Sequence, residues 1–151
     1  MYAAVRVRGS VNISPQIRKT LHLLGLNRVN HLVLVGSTQL GMLEKATSYI
    51  TFGEIDEKTL ALLLQKRGRT QGNKRIGDEF LRERKFKGFG EVAKALVEGK
   101  ASLKGIGIKP VFRLRPPRKG FERRGIKRAY SVGGALGYRA SDINKLLLRM
   151  I

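Results

Sequence analysis

Between Ala3 and Gly53 the spacing of apolar residues changes four times, and few folds accommodate that order. Ala3, Val5 and Val7 alternate with Arg6 and Arg8, the two-residue period of a strand. Ser14-Pro15 then supplies a capping hydroxyl and a proline suited to a first helical turn. Ile17, Leu21 and Leu24 follow on one helical stripe, which Gly25 closes. His31 to Val35 is a denser apolar strand. Leu40, Leu43 and Ala46 mark a second helix over 39–47, with Ser37 and Thr38 competing to cap it, and Tyr49 to Phe52 is a third strand. The crossover rule predicts parallel pairing of the first two strands. The helices over 14–24 and 39–47 are expected to cover the face bearing Val5 and Val7, which leaves Arg6 and Arg8 on an open face.

From residue 58 the pattern loosens. Asp56 is placed to cap a helix with Leu60, Leu63 and Leu64 inward, stopped by Gly68. Asp78 is placed to cap a short helix through Arg84, and residues 90–98 put Val92, Ala95 and Leu96 on one side. Ser141 precedes a closing helix whose stripe is Ile143, Leu146, Leu147 and Met150. Between Lys100 and Arg128 no helical period survives. That stretch holds 11 basic residues and one acid, Glu122, broken up by glycine and proline. Charge divides the chain near the same point: residues 1–57 carry 6 basic and 4 acidic side chains, and 58–151 carry 25 and 7. The expected organisation is a β-α-β-α-β core over 1–57 and a basic extension over 58–151, its last helix packed on the core within one compact domain. The 1–57 core is expected to fold by itself.

A net charge of +20 on 151 residues repels itself unless it meets a polyanion, which points to nucleic acid. The other function classes lack residues to carry them. No cysteine is present, so thiolate metal sites and cysteine nucleophiles are excluded. The two histidines, His22 and His31, have no acid at metal-ligand or general-base spacing. Asp56-Glu57, Asp78-Glu79 and Ser141-Asp142 sit at helix starts, where capping and the helix dipole explain them. Gly105-Ile106-Gly107 is too short for a dinucleotide fingerprint, and Gly133 to Gly137 reads as a tight turn. The apolar run Leu60 to Leu64 falls far short of the roughly 18 residues of a membrane span. The expectation is a cytoplasmic protein with no catalytic residues, cofactor, metal, small-molecule substrate or membrane partner.

Candidate nucleic-acid contacts fall in three places. Arg113 and Arg115 flank Leu114, so both point from one strand face, while Phe112 and Leu114 point from the other. Two guanidinium forks side by side suit phosphate, and Arg118, Lys119, Arg123, Arg124, Lys127 and Arg128 follow. Phe121 and Tyr130 read equally as stacking platforms for bases and as core anchors. The second place is the glycine-containing loop with Arg67, Arg69, Lys74 and Arg75, preceded by Lys66 and free of acids. The third is Arg6 and Arg8. Charge alone does not separate RNA from DNA.

Three stretches carry a family resemblance. They are Leu23-Leu24-Gly25-Leu26-Asn27-Arg28 running into His31 to Val35, Gly41-Met42-Leu43-Glu44-Lys45 running to Tyr49 to Gly53, and Gly137-Tyr138-Arg139 before Ile143 to Leu147. With Leu63-Leu64-Gln65-Lys66-Arg67-Gly68-Arg69, they make the chain resemble the universal large-subunit ribosomal protein thirty, eukaryotic protein seven, in its long archaeal-type form. The resemblance implies an α+β, ferredoxin-like fold with a three-stranded antiparallel sheet, order 3-1-2, and both helices on one face. It also implies a structural constituent of the large ribosomal subunit that binds and stabilises rRNA through basic loops. Its implied partners are large-subunit rRNA, with 5S rRNA a candidate, and neighbouring ribosomal proteins. The alternative reading is a free-standing RNA- or DNA-binding protein.

Overall fold

Ser14 sets the first turn of the chain's first helix. Its backbone is extended (φ −63°, ψ 146°) and its hydroxyl accepts from the Ile17 N–H at 3.4 Å, starting α1 (Pro15–Leu23). At the other end Gly25 takes φ 79°, and the Leu26 N–H reaches back to the Leu21 carbonyl at 2.8 Å. The computed structural model in which these contacts occur describes residues 1–84 and 86–151.

The chain then returns to where it left the sheet, because the Asn30 N–H donates to the Arg6 carbonyl at 2.8 Å. A connection that begins and ends at the same end of the sheet joins antiparallel neighbours. β1 (Tyr2–Arg6) and β2 (His31–Val35) therefore pair antiparallel, Tyr2 opposite Val35 and Val5 opposite Leu32. Parallel pairing of these strands, expected from the crossover rule, is corrected. The crossover lies one step later: α2 (Leu40–Lys45) leads to β3 (Ile50–Glu54), which pairs with the other side of β1, again antiparallel.

The sheet does not stop at three strands. Among the described residues it has five, in the order β4-β2-β1-β3-β5. β4 (Val111–Arg113) runs antiparallel along β2, and β5 (Gly137–Tyr138) runs parallel to β3. The antiparallel 3-1-2 unit is thus the centre of a mixed sheet, and residues from the basic half form both edges. The class is α+β, with which a ferredoxin-like arrangement is compatible.

Both faces of the sheet are buried. Ala4, Val33, Val35, Ile50 and Phe52 pack with Leu21, Leu26, Leu43 and Ala46, so α1 and α2 cover this face. Ala3, Val5, Leu32 and Phe112 lie on the other. It is covered by Leu60, Leu63 and Leu64 of α3 (Glu57–Arg67), by Val92, Ala93 and Leu96 of α5 (Phe89–Val97), and by Ile143, Leu146, Leu147 and Met150 of α7 (Ile143–Met150). The expectation that α1 and α2 cover Val5 and Val7 is therefore reversed. Three further amphipathic helices each need an apolar face, and the Val5 face is the one α1 and α2 leave free. Val7 joins a small cluster with Ala135 and Leu136.

Several caps differ from expectation. α2 follows a 3-10 turn over Ser37–Gln39, and no side chain caps it. Asp56 precedes α3 in extended backbone without a capping bond; its own N–H donates instead to Asn144 Oδ1 at 3.0 Å. Gly77, not Asp78, occupies the cap position before α4 (Asp78–Glu83). α7 follows a 3-10 turn over Ala140–Asp142, so Ser141 lies within that turn. A short helix inside the basic stretch, α6 (Leu103–Ile106), is capped by Ser102, whose hydroxyl accepts from the Gly105 N–H at 3.1 Å. At Gly53 a Cβ would lie 2.1 Å from the Ala140 carbonyl oxygen, so only glycine lets that turn pack on β3.

Candidate nucleic-acid interface

The loop after α3 is a hairpin. Gly68 follows Arg67 where a Cβ would lie 2.3 Å from the Leu64 carbonyl oxygen. Arg69 then bridges Arg75, the Thr70 N–H donates to the Lys74 carbonyl at 3.0 Å, and Asn73 takes φ 63° in the turn. The hairpin is stitched to the segment leading into β4 by a Thr70–Ile108 bridge and a 2.8 Å bond from the Lys109 N–H to the Arg69 carbonyl. Beyond β4, the Arg115 N–H donates to the Met150 carbonyl at 3.1 Å and the Arg118 N–H to the Arg149 carbonyl at 3.0 Å, which lays 115–118 along the end of α7.

These bonds bring two regions some 40 residues apart in sequence to the β4 edge, as two clefts sharing one wall. The first, about 220 Å³, is lined by Arg67, Arg69, Asn73, Lys109, Val111 and Arg113. The second, about 460 Å³, is lined by Gln65, Lys66, Arg67, Arg75, Arg115, Arg118 and Ile151. Among the described residues neither lining contains an Asp or Glu side chain. Arg67 belongs to both. Its Nη2 donates to the Ile151 main-chain oxygen at 2.7 Å, and its Nε is buried without a hydrogen-bond partner among the described residues. Burial, and then the charges of Arg115 and Arg69, hold the Arg67 pKa below its ordinary value. Like charges crowded together are relieved by a bound anion, and guanidinium forks match phosphate geometry.

The structure separates the remaining candidates. Arg113 and Arg115 both leave the buried side of their segment, but they open into different clefts, one on each side of Arg67. Lys74 is exposed at the hairpin tip outside both linings. Arg6 is not on an open face. It is 4% exposed, with Nε donating to the Arg8 carbonyl, Nη1 to the carbonyls of Leu26 and Asn27, and Nη2 to Ser10 Oγ, all between 2.8 and 2.9 Å. Arg8 lies over the Tyr49 ring at 4.9 Å and donates to the Ser48 carbonyl. Lys119 sits in a turn at φ 66°, and Arg123, Arg124, Lys127 and Arg128 are exposed on the segment leading to β5, away from the two clefts. Of that group Arg124 is tied down by a 2.9 Å bond to the Val132 carbonyl.

The two aromatics of that segment act as anchors. Phe121 packs between two apolar clusters, and Tyr130 donates its hydroxyl to Asp142 at 2.8 Å beneath the Arg139 guanidinium. Lys109 and Asn73 are lining residues that sequence reasoning missed. Lys109 is one of eleven cations in its stretch, and only its pairing with Arg69 sets it apart. His31, at the β2 start, is driven below its ordinary pKa by burial, then by Arg113, Arg28 and Arg6. No group of three or more His, Cys, Asp or Glu among the described residues is arranged to hold a metal ion. Among the described residues no helix is long and apolar enough to cross a membrane.

A family model described as "Ribosomal protein L30p/L7e" matches residues 2–50, which run from β1 to the first residue of β3. Relatives match over the whole length. The large ribosomal subunit protein uL30 of Nanoarchaeum equitans is 53% identical over 153 residues, covering 100% of this chain and 99% of that protein. Its namesake from Methanococcus maripaludis is 48% identical over 99% of both chains. That from Thermofilum pendens is 48% identical over 100% of this chain and 99% of the relative.

Proposed function

Because the chain belongs to the uL30 family of large-subunit ribosomal proteins, we propose that the two clefts sharing Arg67 are where it grips rRNA. The protein is a structural, non-enzymatic constituent of the large ribosomal subunit, with rRNA and neighbouring ribosomal proteins as partners and the ribosome in the cytoplasm as its place of work. The comparisons lend no support to a free-standing nucleic-acid-binding protein. The observation that carries the site is the convergence of Lys66, Arg67, Arg69, Arg75, Lys109, Arg113, Arg115 and Arg118 on one sheet edge with, among the described residues, no Asp or Glu side chain in either lining. Lys74, Lys119, Arg123, Arg124, Lys127 and Arg128 then extend the contact outward from that edge, and Arg6 holds the fold together behind it.

Binding through such a surface is driven by release of counterions from RNA. The apolar face of β1 and β2 is completed by residues from 58–151, among them α3, α5, α7 and Phe112, which supports reading the core and the basic extension as one compact domain. The test is the salt dependence of binding to large-subunit rRNA fragments, 5S rRNA among them. About 6–10 phosphate contacts give a log–log slope of roughly −5 to −9. A slope shallower than about −2 would show that the charge is solvated and not engaged.

A further inference from the structure

The basic clefts occupy the β4 edge of the sheet, and the opposite edge, at β5, is built differently. Residues 1–57 hold their four acids, Glu44, Glu54, Asp56 and Glu57, within 44–57, where Lys45 is the one cation. Glu54 ends β3. Its register partner on β1 is Tyr2, and Phe52, two residues back on the same face, lies opposite Tyr138 of β5. The Tyr138 ring packs on that of Phe52, with centroids 5.6 Å apart and planes at 47°, and its hydroxyl donates to Glu54 Oε1 at 2.6 Å. α1 and α2 cover this face over the central strands but leave Tyr138 52% exposed. The carboxylate beside it is short of partners. The chain has 31 Lys and Arg, yet among the described residues none forms a salt bridge with Glu54, whereas Glu98, Glu122 and Asp142 each have one.

We propose that Tyr138 and Glu54 dock an arginine side chain from a basic segment of a neighbouring protein, its guanidinium lying on the open side of the ring and donating to the carboxylate. The occupant follows from charge and shape at short range. A carboxylate repels phosphate and attracts a cation, and beyond about 8 Å the positive charge of the rest of the chain is screened. A guanidinium is planar and always charged, so it stacks on an aromatic ring and offers N–H groups to a carboxylate from the same plane. The Tyr138 hydroxyl holds Glu54 at the edge of the ring, so both contacts are in place before the partner arrives. Tyr2, opposite Glu54, bounds the patch on the β1 side. The inference stands apart from the rRNA reading, because it uses none of the β4-edge residues.

The test is a titration of the full-length protein, at about 0.15 M salt, with a blocked decapeptide of alternating Gly and Arg, following backbone amide resonances. Those of residues 52–56 and 137–139 should move, and the same peptide with Lys for Arg should bind there about threefold more weakly. Glu54→Gln should weaken the response about threefold or more. Tyr138→Leu, which keeps Phe52 covered but removes the ring, should do the same. Both variants should keep the parent's melting temperature and its affinity for rRNA fragments. If these resonances do not move, the patch is refuted and the proposed function stands. If they move while rRNA binding fails its salt test, the patch stands and the proposed function falls. Equal binding of the Lys peptide overturns the choice of arginine. A parent-like response in either variant overturns the role of the group removed. A larger response to hexauridylate than to the Gly-Arg peptide overturns the protein partner in favour of RNA.

Discussion

Arg139 and Glu122 form a two-pronged ion pair, with Nη1 2.8 Å from Oε1 and Nη2 3.2 Å from Oε2. Arg139 is 3% exposed and makes two further bonds: Nε donates to Thr51 Oγ1 at 2.8 Å and Nη2 to the Ala135 carbonyl at 3.0 Å. Glu122 is the one acid among the cations of 100–128. It ties that segment to β3 through Arg139 and to α7 through Arg149, 3.5 Å away.

Removing one partner of such a pair leaves the other buried and unmatched. Arg139→Gln is expected to destabilise the protein by about 3 kcal/mol, the lower end of the range for broken buried pairs because Glu122 keeps some solvent and Arg149. Equilibrium denaturation at neutral pH measures this, and a loss below about 1 kcal/mol would show that the pair is dispensable.

The pair also makes stability depend on acid. Burial acts to raise the Glu122 pKa, but the hydrogen bond from Arg139, a backbone N–H and the charges of Arg139 and Arg149 outweigh it and hold the carboxyl below its ordinary range. A depressed carboxyl pKa stabilises the fold fully above the unfolded value of about 4.3, and that contribution disappears as pH falls through the folded value. The native protein should therefore be more stable than Glu122→Gln at neutral pH. The gap should narrow as pH falls below about 4 in paired denaturant titrations.

The β4-edge arginines should separate binding from folding. Arg113, Arg115 and Arg118 are exposed, while Phe112 and Leu114 hold the segment in the core. Changing the three together to Gln should shift stability by only about 0.5 kcal/mol, the usual scale for surface changes. Charge-assisted bonds to phosphate are worth about 1.5–3 kcal/mol each, so rRNA affinity should fall far more. The salt slope should become shallower by roughly 2–3. Binding equal to that of the parent would move the interface away from this edge.

The covered Val5 face makes a prediction about the two halves. Without residues 58–151, Ala3, Val5 and Leu32 lose their partners in α3, α5 and α7. The segment 1–57 is accordingly predicted not to hold the native sheet alone, contrary to the expectation from the sequence. Dispersed amide resonances from that fragment would refute this. Within the whole protein, Leu146→Ala and Leu147→Ala, at positions 1% and 0% exposed, should each cost about 2–5 kcal/mol in denaturant unfolding.

Local chemistry in the sequence determined the strand-helix alternation over the first 53 residues. Ser14-Pro15 and Gly25 mark the ends of α1 within a residue or two, because capping depends on neighbours a few positions away. The closing stripe of Ile143, Leu146, Leu147 and Met150 was legible for the same reason, as was the basic character of the second half. The face that each helix covers was decided only in three dimensions. Ala3, Ala4 and Val5 are all buried, so β1 is apolar on both sides and its alternation does not say which helices lie where. The antiparallel direction of β2 rests on the Asn30–Arg6 bond, and the β4 edge on the pairing of His31 with Arg113. The gathering of Arg67 with Arg113 and Arg115, the burial of Arg6 and the pairing of Glu122 with Arg139 are likewise tertiary. Arg67 lies 46 and 48 positions from Arg113 and Arg115, Arg6 lies 20 and 21 from Leu26 and Asn27, and Glu122 lies 17 from Arg139, all beyond the reach of any local period, so tertiary packing chooses the partner.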